Sequence, residues 1–138
     1  MAGPLGVAGN CVVRKDGDIL LLRRSSASSS DAGRWELPGG KLEYGEELAE
    51  TVRREVAEET GLSVEVECPF AVWHGTKDEF WVTGVTFACT YVAGAVRLSA
   101  EHDDHVWVDP FAAGDLALRA PMVSQIESYA RLLRDGRI

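Results

Sequence analysis

Two apolar runs open the chain, Gly6 to Val13 and Ile19 to Leu22, with Lys15-Asp16-Gly17-Asp18 between them. Asp-Gly between apolar runs is a strong hairpin signal, because the tight two-residue turn needs positive φ at both central positions. The two runs are therefore predicted to pair antiparallel. Ser25 to Ser30 follows, a serine-rich stretch that reads as a mobile loop. Trp35 to Gly40 reads as a short extended piece ending in a turn, with Pro38 fixing one backbone angle and Gly39-Gly40 opening conformations that other residues avoid. From Glu46 to Thr60 the period becomes helical: Leu48, Val52 and Val56 recur every fourth residue, with Ala49 beside them. Glu46 and Glu47 suit the positive end of that helix, and Gly61 followed by Leu62 marks a Schellman stop. Ser63 to Trp73 and Phe80 to Val92 carry the Val, Phe, Trp and Thr of strands, and His105 to Val108 forms a further one before Pro110. Helical spacing returns between Pro121 and Leu133, at Met122, Ile126, Tyr129, Leu132 and Leu133. Strand, strand, helix, strands, helix predicts a mixed sheet with helices packed against it, an α/β layered domain.

Composition narrows the class. A chain of 138 residues with 46% hydrophobic and 26% charged residues is expected to form one globular domain, 1–138, with its own core. Met1 to Ala8 is apolar but short, lacks a basic n-region and contains Gly3, Pro4 and Gly6, so it makes a poor signal peptide. No run approaches the length of a membrane span, and the expected setting is cytoplasmic, with no membrane partner. Cys11, Cys68 and Cys89 are widely spaced and sit in apolar runs, which predicts buried structural thiols. The formal net charge of -8 disfavours a nucleic-acid partner, which needs a basic surface. A polyanionic small molecule fits an acidic protein only where divalent cations stand between the two.

The helix supplies residues for such cations. Glu55, Glu58 and Glu59 lie at i, i+3 and i+4, so the three carboxylates share one face within a single turn. Like charges at this spacing destabilise an isolated helix by roughly a few tenths of a kcal/mol per pair. A hard divalent cation relieves that repulsion, since Mg²⁺ prefers oxygen ligands. Glu is also a strong helix former, and an acidic face is commonly just solvated surface. Two features favour the metal. The carboxylates border the apolar stripe instead of lying opposite it, and a Gly-rich loop capable of close approach to a ligand precedes the helix.

Gly40, five residues, Glu46, seven residues, then Arg54-Glu55-Val56-Ala57-Glu58-Glu59-Thr60-Gly61-Leu62 resembles the complete signature of the Nudix hydrolases. Trp35-Glu36-Leu37-Pro38-Gly39 before it and Lys41-Leu42-Glu43 within it are similar to the MutT-like members. The resemblance implies a Nudix-type α/β/α sandwich, with a mixed β-sheet between helices. It implies Mg²⁺, with Mn²⁺ as a substitute, held by Glu55, Glu58, Glu59 and the carbonyl of Gly39. Arg54 would orient the glutamates through a salt bridge with Glu46, while Gly40 and Gly61 shape the loop and end the helix. Glu101 resembles the loop glutamate that serves MutT-like members as a further metal ligand or base. The reaction implied is hydrolysis of a nucleoside diphosphate linked to another moiety, most plausibly a nucleoside triphosphate (oxidised or not) cut to monophosphate and pyrophosphate. Nucleotide sugars, ADP-ribose and dinucleoside polyphosphates are the alternatives, with a non-catalytic nucleotide-binding module or a decapping role further off. That chemistry needs charge neutralisation and in-line positioning more than a covalent nucleophile.

Other positions carry weaker expectations. Arg23, Arg24 and Lys41 are candidates to hold substrate phosphates, since guanidinium forks suit phosphate geometry. Trp35, Phe80, Trp81 and Trp107 are candidates to stack on a base, against a core role common for strand aromatics. His74, His102 and His105 show no metal-ligand spacing and are expected at the surface or in caps. Asp103-Asp104 could accept from a purine amino group. A monomer or a homodimer is compatible with such a domain.

Overall fold

A computed structural model describes residues 2–28 and 30–138. Its strands are β1 (Leu5–Lys15), β2 (Asp18–Arg24), β3 (Trp35–Glu36), β4 (Gly39–Lys41), β5 (Ser63–Lys77), β6 (Phe80–Ala93) and β7 (His102–Val108), and its helices α1 (Leu48–Thr60) and α2 (Ala120–Arg134). The hairpin between β1 and β2 forms as expected, with Arg14 opposite Ile19 and Lys15 opposite Asp18. Asp16 and Gly17 take φ of 52° and 86°, the paired positive values of the predicted turn. All seven strands join one sheet in the order β3-β2-β1-β6-β5, with β4 added to β1 and β7 to β2. β1 and β6 run parallel and the other pairs antiparallel, so the sheet is mixed.

The two central strands are apolar on both faces, which is why they read as continuous runs instead of alternating ones. Cys11, Val13, Leu20 and Leu22 pack on one side with Val52 and Val56 of α1. Val12, Ile19 and Leu21 point to the other side and pack with Met122, Ile126 and Tyr129 of α2. Helices therefore cover both faces, giving the α/β/α sandwich. Cys11 and Cys89 are buried in the first of these clusters as free thiols, and Cys68 is half-buried against the second. Among the described residues, no helix is long and apolar enough to cross a membrane.

Several boundaries differ from the sequence reading. α1 begins at Leu48, not Glu46, because Glu47 caps it: Glu47 O accepts the Glu50 N–H while the Glu50 carboxylate reaches back to accept the Glu47 N–H at 3.3 Å. Its end is a simple αL cap, not a Schellman motif. Gly61 has φ 72° and its N–H donates to Ala57 O, but the Leu62 N–H is taken by the Thr60 hydroxyl. β5 and β6 extend to a turn at Asp78, so His74 to Glu79, left between the two predicted strands, is mostly strand. β7 starts three residues early, at His102.

The segment from β3 to β4 positions the site. Leu22 and Arg23 of β2 pair with Glu36 and Trp35, whereas Gly39 to Lys41 pair with Asn10 to Ala8 of β1. The chain thus steps from one central strand to the next within Leu37 and Pro38, and the Cys11 N–H bonds Pro38 O at the crossing. Gly39 and Gly40 are needed there for close approach. A Cβ on Gly39 would lie 2.3 Å from Gly9 O, and one on Gly40 2.3 Å from the Glu55 carboxyl carbon.

Candidate active site

α1 presents its three glutamates at graded depth. Glu59 is buried, at 5% exposure. Glu55 is half-buried and Glu58 exposed. The Glu59 carboxylate accepts the Gly39 N–H at 2.9 Å, which ties the helix to the crossing segment. Burial pushes its carboxyl up to about 9, repulsion from Glu55, Glu36 and Glu101 adds to this, and the Gly39 bond opposes it. Burial also raises Glu55, against the Arg54 guanidinium that holds it down. A carboxylate at the depth of Glu59, with no guanidinium or amine paired to it, is what a bound cation would stabilise.

Arg54 organises the rest. Its Nε and Nη2 form a fork on the two Glu46 oxygens at 2.8 and 3.0 Å, its Nη1 bonds Glu55 at 2.8 Å, and Nη2 also reaches Lys41 O at 3.0 Å. Glu58 and Glu43 stand at 3.4 and 3.6 Å. The fork holds the Glu46 carboxyl down at about 2. Glu46 lies ahead of the helix and anchors the loop as well, accepting from the Glu43 N–H and the Thr51 hydroxyl. One arginine thereby fixes loop and helix in a single register.

Glu101 approaches from the loop before β7. That loop lies along the C-terminal end of α1, with Arg97 and Ser99 N–H groups donating to Thr60 O and Glu59 O. It is also tethered from the other side: the Ser25 and Ser28 hydroxyls donate to Ala100 O and Glu101 O. The serine stretch expected to be mobile is thus pinned at Ser25 and Ser28, while Ser29 lies outside the described residues. Ligand atoms of Glu59, Glu101 and His102 fall within 4.8 Å of one another. Glu59 and Glu101 border an open cavity shared with Arg24, Glu36, Lys41, Trp73, Lys77 and Arg119, and His102 lies buried behind them.

A NUDIX domain match spans residues 4–131. The chain belongs to the NUDIX domain family. It is 41% identical over 106 residues to a MutT-like protein of Streptomyces ambofaciens, a match covering 77% of this chain and 64% of that relative's length. It is 29% identical over 111 residues to the nucleoside triphosphatase NudI of an Escherichia coli strain, covering 72% of this chain and 78% of NudI. The crystal structure of a MutT protein from Methanosarcina mazei superposes with a TM-score of 0.82 at 33% identity, covering 100% of this chain and 99% of that one. Family membership makes the chain a hydrolase of pyrophosphate bonds, in a family that generally uses divalent metals.

Within this Nudix domain the other expected residues divide. Arg24 and Lys41 line the cavity; Arg23 does not. Its guanidinium is engaged by Asp103 at 2.7 Å and lies over the Trp35 ring. Asp103 and Asp104 stand on the acidic side of that pair, at 2.7 and 3.9 Å. Trp35 and Trp107 also miss the cavity. Trp35 packs against the α2 side of the core, and Trp107 stands edge-on to Tyr91 beneath the Lys15 amine. Trp73 occupies the cavity wall instead, its Nε1 donating to Asn10 Oδ1 at 3.0 Å. It lies flat over Gly84, its partner on β6, where a Cβ would sit 2.0 Å from the indole.

The expectation for His102 fails most clearly. Its side chain is 1% exposed, with Nε2 2.8 Å from Glu36 Oε2. Glu36 is in turn clamped by Arg24 and Arg119 at 3.1 and 3.3 Å. Burial alone would raise the Glu36 carboxyl, but the His102 bond and the two guanidinium charges hold it below its ordinary value. Glu36 and His102 are 66 residues apart in sequence, so no local pattern announces the pair.

Gly40 offers a direct test of this packing. Gly40→Ala should displace the Glu55 carboxylate, which Arg54 prevents from swinging away, and lower kcat at least about tenfold with little change in circular dichroism. Wild-type turnover would show that Glu55 has room to move.

Proposed function

We propose that this chain is an Mg²⁺-dependent pyrophosphohydrolase that cuts a nucleoside triphosphate to monophosphate and pyrophosphate. The observation that carries the reading is the graded carboxylate set, buried Glu59 with half-buried Glu55, packed directly against the Gly39–Lys41 crossing where Glu59 meets an open cavity. The donors fit the metal: Glu55, Glu58, Glu59, Glu101 and the Gly39 carbonyl are hard oxygens, and the depth of Glu59 calls for a countercharge. Bound divalent cation would neutralise the diphosphate and polarise the phosphorus under attack. Similarity to NudI, a nucleoside triphosphatase, favours a triphosphate over nucleotide sugars or ADP-ribose.

The chain's own groups supply the rest. Arg54 keeps the carboxylates in one array and does not face the cavity. Arg24 and Lys41 stand at the cavity wall where the phosphates would lie. Glu101 and Glu58, the exposed members of the set, are the candidates for the base that takes the attacking water's proton. Trp73 gives the cavity a flat apolar wall suited to a base.

A panel of nucleoside triphosphates (oxidised and unmodified), nucleotide sugars and ADP-ribose, assayed for pyrophosphate or phosphate release with Mg²⁺, tests the substrate class. Turnover should vanish with EDTA and return with excess Mg²⁺ or Mn²⁺. Activity that persists in chelator would place the reaction elsewhere.

A further inference from the structure

His102 is built differently from a histidine that merely fills the core. Its Nε2 faces Glu36 Oε2 at 2.8 Å, and Glu36 is an ionised carboxylate between Arg24 and Arg119, able only to accept. Nε2 therefore carries the hydrogen, which leaves the neutral ring with a bare lone pair on Nδ1. That atom is fully buried and has no hydrogen-bond partner among the described residues. A buried polar atom left unsatisfied is unfavourable and demands an explanation. The Glu59 Oε2 atom lies 3.9 Å away, too far for a hydrogen bond.

The surroundings supply one. Glu59 uses Oε1 for the Gly39 N–H, so its Oε2 is uncommitted and lies on the His102 side. Glu101 offers a carboxylate oxygen from the adjacent position, and the three ligand atoms lie within 4.8 Å of one another. Two donors each about 2.1 Å from a common cation are separated by roughly 3–4 Å, so modest closure brings all three into range. A carboxylate hydrogen-bonded to the far nitrogen of a histidine, fixing its tautomer and raising its basicity, is the usual support of a histidine that ligates metal.

We infer that His102 Nδ1, with Glu59 and Glu101, forms a mixed nitrogen–oxygen cation position that takes a first-row transition dication such as Mn²⁺ or Co²⁺ in preference to Mg²⁺. Imidazole suits these metals, whereas Mg²⁺ favours oxygen donors and near-ideal octahedra. Glu55 and Glu58 remain an all-oxygen set beside it. The inference rests on the metal-binding reading of Glu59 but adds a ligand from outside the glutamate helix, and with it a preference among metals.

Electron spin-echo envelope modulation of the Mn²⁺-loaded protein reads the ligand directly, without turnover. The wild type should show coupling to a directly bound nitrogen, and growth on ¹⁵N-histidine should change its pattern. His102→Gln should abolish the coupling and weaken Mn²⁺ binding by roughly tenfold or more, with Mg²⁺ affinity changed far less. Nitrogen labelling needs no substitution, so it stands even if that variant folds poorly. Mn²⁺ bound without nitrogen coupling would overturn the inference and leave the carboxylate site intact. Failure of the wild type to bind Mn²⁺ at all would overturn both.

Discussion

Glu59→Gln is expected to lower kcat by at least about 10²–10³-fold while leaving the metal-free protein as stable as wild type or more so. The substitution keeps shape and keeps an oxygen to accept the Gly39 N–H. What it removes is the charge at the deepest point of the carboxylate set. Without a cation that charge is unfavourable, since the site is 95% shielded from water and faces Glu55, Glu36 and Glu101. A residue that harms the free protein yet is indispensable to turnover is serving a ligand, not the fold. Glu58→Gln separates the two effects: it should also cut turnover severely, but with no gain in stability, because Glu58 is exposed. Steady-state kinetics with Mg²⁺ and urea denaturation in EDTA measure both quantities. Near-normal turnover of Glu59→Gln would refute the metal assignment.

Sequence patterning carried the layout further than the details of the cavity. The β1–β2 hairpin, the α1 stripe and the α2 spacing were legible because each depends on local chemistry: a turn dipeptide, a helical period, an apolar face. The Arg54–Glu46 fork was legible too, through the family spacing that places both residues around one loop. The cavity wall was not. Trp73 reaches it because Gly84 lies opposite on a strand whose pairing is long-range, and a glycine in a strand marks close approach only once its partner is known. Glu36, Arg119 and His102 converge from three distant segments, and none is unusual in its own neighbourhood. Arg23 and Arg24 show the same limit in reverse: adjacent and chemically identical, they diverge at a register shift between β2 and β7, so that one meets Glu36 and the other Asp103.

The metal-free protein should lose stability as pH rises from about 5 toward 9, the reverse of the trend set by paired carboxylates. Glu59 titrates near 9 in the folded state against an ordinary value of 4.5. Across that interval the folded protein retains a proton that the unfolded chain has released, so raising pH favours unfolding, with a slope approaching about 1.4 kcal/mol per pH unit for one proton. Glu55, raised for the same reason, acts in the same direction. Glu36 and Glu46, both lowered, act oppositely but only at the acid end, where their stabilisation is lost as pH falls through their folded values. Glu59→Gln should therefore flatten the profile above pH 5. Saturating Mg²⁺ or Mn²⁺ should invert it, because the cation binds the ionised carboxylate and competes with the proton. Urea midpoints measured at intervals from pH 5 to 9, in EDTA and in metal, decide the matter. A wild-type profile that is flat in EDTA, or a slope that survives in Glu59→Gln, would mean that water reaches Glu59 more freely than its burial implies.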